Sequence, residues 1–307
     1  MLCFQKKHCM DQNTVITVYK NHKNKILISH YDMKYILHND HQIPALGLGT
    51  YPMQGKQCYY IVRTALDLGY RHFDTAESYN NEKSVGHAIY DSGIPRDQIF
   101  LTTKCGFLSA TANNIHKEFS NSLDTLRTDY VDLLLYHWHH ENTSMNESLG
   151  ALEDIRKSGR TKYIGVGNFT ISLMREAIQV HNADLFTNQF ESHPLLRQPK
   201  LEDETHKLGM IVTAHSPVAR GRIINNDLLK FIGDKYGKSP SQVAIRWQLD
   251  KPDTMLIPKS TRSVGLTENI NVFDFCLDNE DRKLIESLPN NLRGSRPPFE
   301  PKWDSIK

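Results

Sequence analysis

The chain has 307 residues, of which 39% are hydrophobic, so it is long enough and apolar enough to build a packed core. Its 37 Lys and Arg residues nearly balance 35 Asp and Glu residues, so net charge favours neither nucleic acid nor an acidic membrane surface as a partner. The five cysteines form no Cys-x-x-Cys pair, which argues against a disulfide framework and favours a reducing, cytoplasmic compartment.

The N-terminal part of the chain differs from the rest. Lysines interrupt its apolar stretches, so it has the pattern of neither a signal peptide nor a spanning helix. We predict a variable N-terminal extension at residues 1–38 and a single domain at 39–307. A short hairpin is expected around residues 34–43, ahead of the first strand of that domain.

From residue 46 onward, short apolar runs alternate with amphipathic stretches. The predicted strands are 46–49, 71–74, 99–103, 131–136, 162–166, 185–189, 210–214 and 255–258. The predicted helices are 57–69, 80–91, 112–127, 146–159, 171–181, 198–208, 225–236 with 240–250, and 263–270. Eight such units favour an α/β fold of the closed (β/α)8 TIM barrel type. An open doubly wound sheet is the alternative.

The last part of the chain continues beyond the eight units. A further helix is predicted at 280–288, and a proline-rich tail containing Trp303 follows it. We expect this tail to lie over the barrel mouth.

Four residue types suited to proton transfer follow one another at the spacing of barrel units. Asp74 and Lys104 are 30 residues apart, and Lys104 and His137 are 33 apart. Neighbouring strands of a barrel deliver side chains to one mouth at about this interval. Tyr79 follows the strand that carries Asp74, so the four side chains are predicted to meet.

This set can protonate the oxygen of a carbonyl group while another species attacks its carbon. Tyrosine is a weak acid, with an ordinary pKa of about 10. The ammonium of Lys104 would favour the phenolate of Tyr79, and Asp74 would hold Lys104 in place. His137 would orient the carbonyl oxygen or relay the proton.

The run from His137 to Glu141 also permits a metal hypothesis, because His137 and His139 would share one face of a strand. Zinc sites recruit three or four ligands with supporting partners, and no matching Cys or carboxylate motif accompanies this run. We therefore predict no metal, and a metal-dependent barrel hydrolase stays a less favoured alternative.

Several longer motifs occur in a fixed order along the chain. They are Ile43–Tyr51 (IPALGLGTY), Gly69–Ala76 (GYRHFDTA), Leu126–Asp132 (LRTDYVD), Gly165–Phe169 (GVGNF), Thr187–Gln189 (TNQ) and Ile257–Thr261 (IPKST). In these motifs the chain resembles the aldo-keto reductases, from about residue 42 to 304. Its tail and length are similar to the bacterial 2,5-diketogluconate reductase branch.

The resemblance implies a role for each matching residue. It makes Tyr79 the general acid, tuned by Lys104 and Asp74, with His137 orienting the substrate. The hydride would come from a nicotinamide cofactor, although the Rossmann Gly-x-Gly-x-x-Gly fingerprint is missing after the first strand. The residues implied in cofactor binding are Gly49, Thr50, Tyr51, Asp74, Asn168, Gln189, His215, Ser216, Val218, Lys259, Ser260, Thr261, Arg262, Glu268 and Asn269.

The phosphate end of this set favours NADPH. A lysine with hydroxyl groups at a helix N-terminus is an anion site on physical grounds alone. By resemblance, Lys259, Ser260 and Thr261 would hold the 2′-phosphate. The usual arginine of this segment falls on Gly265, so Arg262 is expected to substitute for it.

Other positions depart from the family pattern. His215 replaces a tyrosine that stacks on the nicotinamide, which would weaken cofactor binding or add pH dependence. Gly167 replaces a serine, so one hydrogen bond to the carboxamide would be lost. A tryptophan usual in this branch is missing after Cys105, which would enlarge or reshape the pocket unless Phe107 fills the space. Cys105 is interpreted as a buried residue and His139 as a change at the substrate site.

The sequence thus predicts an NADPH-dependent reductase of small aldehydes or ketones, such as methylglyoxal, aromatic aldehydes or keto-sugars. We expect a monomer that binds neither nucleic acid nor membranes. A non-catalytic, cofactor-binding regulatory or structural barrel is the main alternative.

Overall fold

The structure, a computed structural model, describes residues 33–39, 41–108 and 110–305. Eight parallel strands pair in sequence order, and each is followed by at least one helix. The barrel strands are β3 Leu48–Gly49, β4 His72–Asp74, β5 Phe100–Cys105, β6 Val131–Tyr136, β7 Thr161–Gly167, β8 Thr187–Glu191, β9 Ile211–His215 and β10 Thr254–Ile257. The predicted barrel is confirmed.

The first and last segments of the sheet meet and close it. Leu46 forms a parallel bridge with Leu256, although the predicted first strand is regular only at Leu48–Gly49. The amide of Gly47 donates to the oxygen of Leu256 at 2.8 Å, and the amide of Leu256 donates to the oxygen of Ala45 at 2.7 Å. These bonds pair edges that an open sheet would leave exposed.

The helices surround the strands, as predicted. They are α1 Gly55–Asp67, α2 Glu82–Ser92, α3 Ala112–Leu126, α4 Met145–Lys157, α5 Ile171–Arg175, α6 Pro199–Lys207, α7 Asp227–Tyr236, α8 Pro240–Leu249, α9 Ser263–Ile270 and α10 Asn279–Glu286. Side-chain caps mark several starts; Ser239 and Gln242, for example, form a reciprocal capping box at α8. No helix in the described ranges is long and apolar enough to cross a membrane.

The helices begin within two residues of their predicted starts, and two of them differ from the prediction for a local structural reason. The predicted helix at 80–91 begins at Glu82, because Asn80 adopts a left-handed conformation and ends the short 3-10 turn Glu77–Tyr79. The predicted helix at 171–181 is α5 followed by a π-helical turn at Glu176–Val180.

The predicted hairpin covers the end of the barrel where the strands begin. Its strands, β1 Tyr35–His38 and β2 His41–Pro44, are antiparallel, and Ile36 and Ile43 are buried opposite each other. The predicted extension 1–38 thus contains β1, while residues 1–32 lie outside the described residues. The division of the chain at residue 38 stays a prediction.

Candidate active site

The four proton-transfer residues lie together at the carboxyl ends of adjacent strands. Asp74 ends β4, Lys104 is the fifth residue of β5, and His137 follows β6 directly. Tyr79 ends the 3-10 turn that the chain forms after β4. Because parallel strands present these ends to one mouth, residues distant in sequence meet there.

Lys104 is the centre of the group and is 1% exposed. Its Nζ lies 2.5 Å from Oδ1 of Asp74, 2.8 Å from the oxygen of Thr75 and 3.4 Å from Oη of Tyr79. The three partners match the three donors of an ammonium group. Lys104 is therefore held as a cation against the phenol.

The titration of the pair follows from burial and from this contact. Burial alone would lower the pKa of Lys104, but Asp74 and Tyr79 outweigh it, so the pKa is raised and the ammonium persists. Burial raises the pKa of Tyr79, and Lys104 opposes that shift without cancelling it. Lys104 thus acts on the pKa of Tyr79 in the predicted direction, although desolvation is the larger effect.

His137 is buried beside this pair. Its ring centroid lies 5.6 Å from that of Tyr79, edge to face, and its Nδ1 lies 3.5 Å from Oγ of Ser78. Burial holds the pKa of His137 well below its usual value, and Lys104 and then His215 act in the same direction. A neutral imidazole can orient an oxygen by a hydrogen bond without adding a charge.

Residues predicted to hold the nicotinamide surround the same group. Nε2 of Gln189 donates to Oδ2 of Asp74 at 2.8 Å, so both oxygens of that carboxylate are bound. Nδ2 of Asn168 donates to the oxygen of His137 at 3.3 Å. Oδ1 of Asn168 lies 3.2 Å from Nε2 of His215, which assigns that nitrogen as the donor.

The ring of His215 is held by hydrogen bonds, and its pKa is shifted away from the neutral range. Nδ1 lies 3.2 Å from Oγ of Ser216, so both ring nitrogens have partners. Burial lowers the pKa of His215 to about 4, with the charge of Glu191 opposing this shift. The ring stays neutral near physiological pH, so the predicted pH dependence is not expected there.

Gly167 ends β7 where this strand approaches the backbone of His137 closely. A Cβ at this position would meet the oxygen of His137 at 2.7 Å, so a serine would require a backbone shift. The substitution therefore has a packing reason in addition to the lost hydroxyl.

The first barrel strand, β3, and the two residues after it add three of the predicted cofactor residues at the edge of the mouth. Thr50 Oγ1 donates to the oxygen of Asp74 at 3.0 Å, and the amide of Gly49 donates to the oxygen of Pro258 at 3.1 Å. The exposed ring of Tyr51 lies 5.0 Å from that of Tyr79.

The predicted phosphate residues lie at the start of α9, and no contact links them to the catalytic group. Of these, Lys259, Thr261 and Arg262 are exposed. Among the other predicted cofactor residues, Glu268 is exposed and Asn269 buried later in α9, and Val218 is partly buried in the loop after β9. The first turn of α9 has no acidic side chain. Exposed cations beside free helix amides are suited to a phosphate group.

Gly265 accommodates the side chain of Ser260. A Cβ at Gly265 would meet Oγ of Ser260 at 2.4 Å. That hydroxyl is bonded to the backbone of Arg262, accepting from its amide at 3.1 Å. An arginine at position 265 would displace Ser260, so the serine and the glycine fit each other.

The histidines of the 137–141 segment have separate neighbours. The ring of His139 contacts Tyr136 and Phe169, away from Tyr79. Among the described residues no group of three or more His, Cys, Asp or Glu side chains could hold a metal ion. Cys105 is buried, and burial raises the pKa of its thiol well above the usual value.

Three residues at the site were not predicted. Thr75 supplies a carbonyl to Lys104, Ser78 supplies a hydroxyl to His137, and Glu191 binds the C-terminal tail. Ser78 adjoins Tyr79, and Glu191 lies two residues beyond Gln189 on the same strand face, which is a usable signal.

Comparisons with known proteins agree with the arrangement. The profile described as "Aldo/keto reductase family" matches residues 45–290. "Methylglyoxal reductase DkgB" of Salmonella typhi is 38% identical over 266 residues, which cover 85% of this chain and 99% of that protein. "Glyoxal reductase" of Bacillus subtilis strain 168 is 35% identical over 265 residues, covering 86% of this chain and 95% of that one.

A solved structure with similar coverage is a crystal structure bearing the provisional name 2,5-diketo-D-gluconic acid reductase B. It superposes with a TM-score of 0.86 at 40% identity and covers 89% of this chain and 98% of its own. These matches confirm the resemblance inferred from the sequence motifs.

Proposed function

The chain belongs to the aldo-keto reductase family, whose members reduce carbonyl groups with a nicotinamide cofactor, and we propose that it reduces small aldehydes or ketones with NADPH. The observation that carries the proposal is the contact of a buried, charged Lys104 with Asp74 and Tyr79. We propose methylglyoxal and aromatic aldehydes as first substrates, since two relatives are named for methylglyoxal and glyoxal.

The chain's own residues perform the protonation. The raised pKa of Tyr79 keeps its phenol protonated, so it can donate to the carbonyl oxygen as negative charge develops there. Lys104 lies against the same oxygen of Tyr79 and stabilises the phenolate that remains. His137 supplies a neutral hydrogen-bonding edge beside it.

The cofactor residues fit a nicotinamide dinucleotide phosphate. We propose that Asn168 and Gln189 bind the carboxamide, with His215 against the ring, and that Lys259, Ser260, Thr261 and Arg262 bind the 2′-phosphate. When bound, the cofactor supplies hydride to the carbonyl carbon. Both ring nitrogens of His215 have hydrogen-bond partners, and the ring stays neutral near neutral pH. Its orientation is therefore fixed, which supports a role against the nicotinamide ring.

Tyr79→Phe tests the assignment directly. Removing the proton donor should lower kcat by about a thousandfold or more with methylglyoxal, while the Kd for NADPH stays within about threefold. The matched control is Tyr60→Phe, at an exposed tyrosine on α1, and it should keep full activity. Turnover is measured as loss of NADPH absorbance, and cofactor binding as quenching of protein fluorescence.

The outcomes separate the alternatives. Full turnover in Tyr79→Phe would remove this residue as the acid. NADPH binding by the unaltered protein without turnover of any carbonyl would favour the non-catalytic barrel instead.

A further inference from the structure

The end of the described chain crosses the mouth of the barrel as a strap, which we define as residues 294–304. We propose that Glu191 and Asp304 anchor this strap at its two ends and so determine which carbonyl compounds enter. Neither residue is assigned to the reaction, and both act through the strap's aromatic side chains. The inference rests on the proposed reductase function, because selection between carbonyl compounds presupposes that they bind at this mouth.

Glu191 is the first anchor. It ends β8, two residues beyond Gln189, and its side chain is buried. Its Oε2 accepts from the amides of Gly294 at 3.0 Å and Ser295 at 2.9 Å, and Oε1 accepts from Gly294 at 3.0 Å. A buried carboxylate bound by backbone amides fixes the chain that carries them.

The neighbouring contacts belong to the same anchor. Nε2 of His193 lies 3.2 Å from Oε1 of Glu191. Arg293 donates to Oε1 of Gln198 at 2.9 Å, and Gln198 donates to the backbone oxygen of Glu191 at 2.7 Å. Burial would raise the pKa of Glu191, but the hydrogen bond from His193, the neighbouring His215 and the amide of Ser295 lower it to about 2. The anchor is therefore charged at every pH at which the protein would work.

Gly294 allows this close approach. A Cβ there would lie 3.0 Å from Oε1 of Glu191, closer than ordinary packing allows. Either the Glu191 carboxylate or the strap would have to shift by a few tenths of an ångström to accept one. The position therefore offers a way to weaken the anchor without removing a buried charge.

Asp304 is the second anchor. Its Oδ2 accepts from the amide of Ile171 at 2.9 Å, at the first residue of α5. A carboxylate is stabilised at a helix start by the free amides of the first turn. Next to it, the ring of Trp303 is covered by the guanidinium of Arg293 at 3.7 Å, which ties the two ends of the strap together.

Between the anchors the strap inserts Phe299 among the residues around His137. Its ring centroid lies 5.4 Å from Phe107, 5.9 Å from Trp138 and 5.0 Å from His140. Phe107 in turn lies 5.1 Å from His137. A shift of the strap therefore moves a wall that contacts the residue proposed to orient the carbonyl.

The first test measures the strap itself and needs no turnover. Trypsin cleaves after Lys and Arg, but not after Arg296, because Pro297 follows it. In a Lys302→Ala background, tryptic cleavage in this region therefore reports the bond between Arg293 and Gly294. Glu191→Gln, Gly294→Ala and Asp304→Ala should each raise the cleavage rate at this bond about tenfold, read by mass spectrometry. Lys302→Ala alone is the matched control, because Lys302 is exposed on the strap.

The second test measures selection between substrates. Each anchor variant should raise the KM for a bulky aromatic aldehyde about tenfold, with kcat for methylglyoxal and the Kd for NADPH within about twofold of the control. Unchanged cleavage together with an unchanged ratio of kcat/KM for the two aldehydes would overturn the proposal. If Glu191→Gln fails to fold, Gly294→Ala and Asp304→Ala decide the matter.

The two proposals fail in different ways. Absence of turnover in the unaltered protein would contradict the reductase function, while the cleavage rates would still support or overturn the anchors. Turnover with unaltered cleavage and an unaltered ratio of kcat/KM in all variants would retain the reductase function and remove the anchors.

Discussion

Lys104 is a charged side chain that the fold keeps out of water, and its position explains much of the candidate site. Removing an ammonium from water is costly unless partners replace the solvent. Asp74 and the backbone of Thr75 do so, and Gln189 occupies the second oxygen of Asp74. The result is a fixed charge beside Tyr79 that needs no rearrangement when a phenolate forms.

Glu82 is a second buried titratable residue, at the start of α2 and 5% exposed. Oγ1 of Thr103 donates to its Oε1 at 2.5 Å. Burial raises its pKa to about 7, with Thr103 opposing the shift. Between its ordinary pKa and about 7, the folded protein holds a proton that the unfolded chain has lost.

The stability of the protein should therefore fall as the pH rises through that window. The shift corresponds to a loss of up to about 3 kcal/mol at pH values above it. Glu82→Gln removes the ionisation, so its melting temperature should exceed that of the unaltered protein by a few degrees at pH 8 and by little at pH 5. Calorimetry at both values checks this, with exposed Glu286→Gln as control. An equal difference at both pH values would refute the titration of Glu82.

At the scale of elements, the loop from β10 into α9 carries the proposed preference for NADPH. Lys259 and Arg262 are exposed there beside a helix start with no acidic residue in its first turn. Each cation that binds a phosphate contributes about 1.5–3 kcal/mol, which is roughly a tenfold change in affinity or more.

Replacing both cations tests that preference. Lys259→Ala combined with Arg262→Ala should raise the KM for NADPH about a hundredfold and leave the KM for NADH within about twofold. Steady-state kinetics with both cofactors measures it, and Lys283→Ala on the surface of α10 serves as control. A similar rise for NADH would place these cations elsewhere than on the 2′-phosphate.

Alternating apolar runs were sufficient to predict the barrel elements, because each strand and helix shows its period within a short window. The contacts that complete the site could not be read this way. Glu191 and Gly294 are 103 residues apart, and His215 and Asn168 are 47 apart. The burial of Tyr79, which outweighs Lys104 in setting its pKa, likewise exists only once the elements pack.

At the scale of the whole molecule, the candidate active site and the hairpin lie at opposite ends of the barrel. The proposed catalytic residues lie at the carboxyl ends of the strands, while the hairpin covers the end where the strands begin. There Nζ of Lys34 donates to the oxygens of Leu249 and Lys251 at 2.6 and 2.8 Å, and Ile36 is buried. Loss of these contacts should lower the stability of the protein and have little effect on turnover.

Two truncations separate these roles. A chain beginning at Asn39 lacks β1, Lys34 and Ile36, and should lose about 3 kcal/mol of stability, or about 5–10 °C in melting temperature. Its KM for NADPH and its kcat should stay within about twofold where it is folded, because no contact of the deleted strand reaches the mouth. A chain beginning at Met33 is the control with which the shorter chain is compared, because the two differ only in residues 33–38. A change in KM without a change in melting temperature would show instead that the hairpin end is coupled to the site.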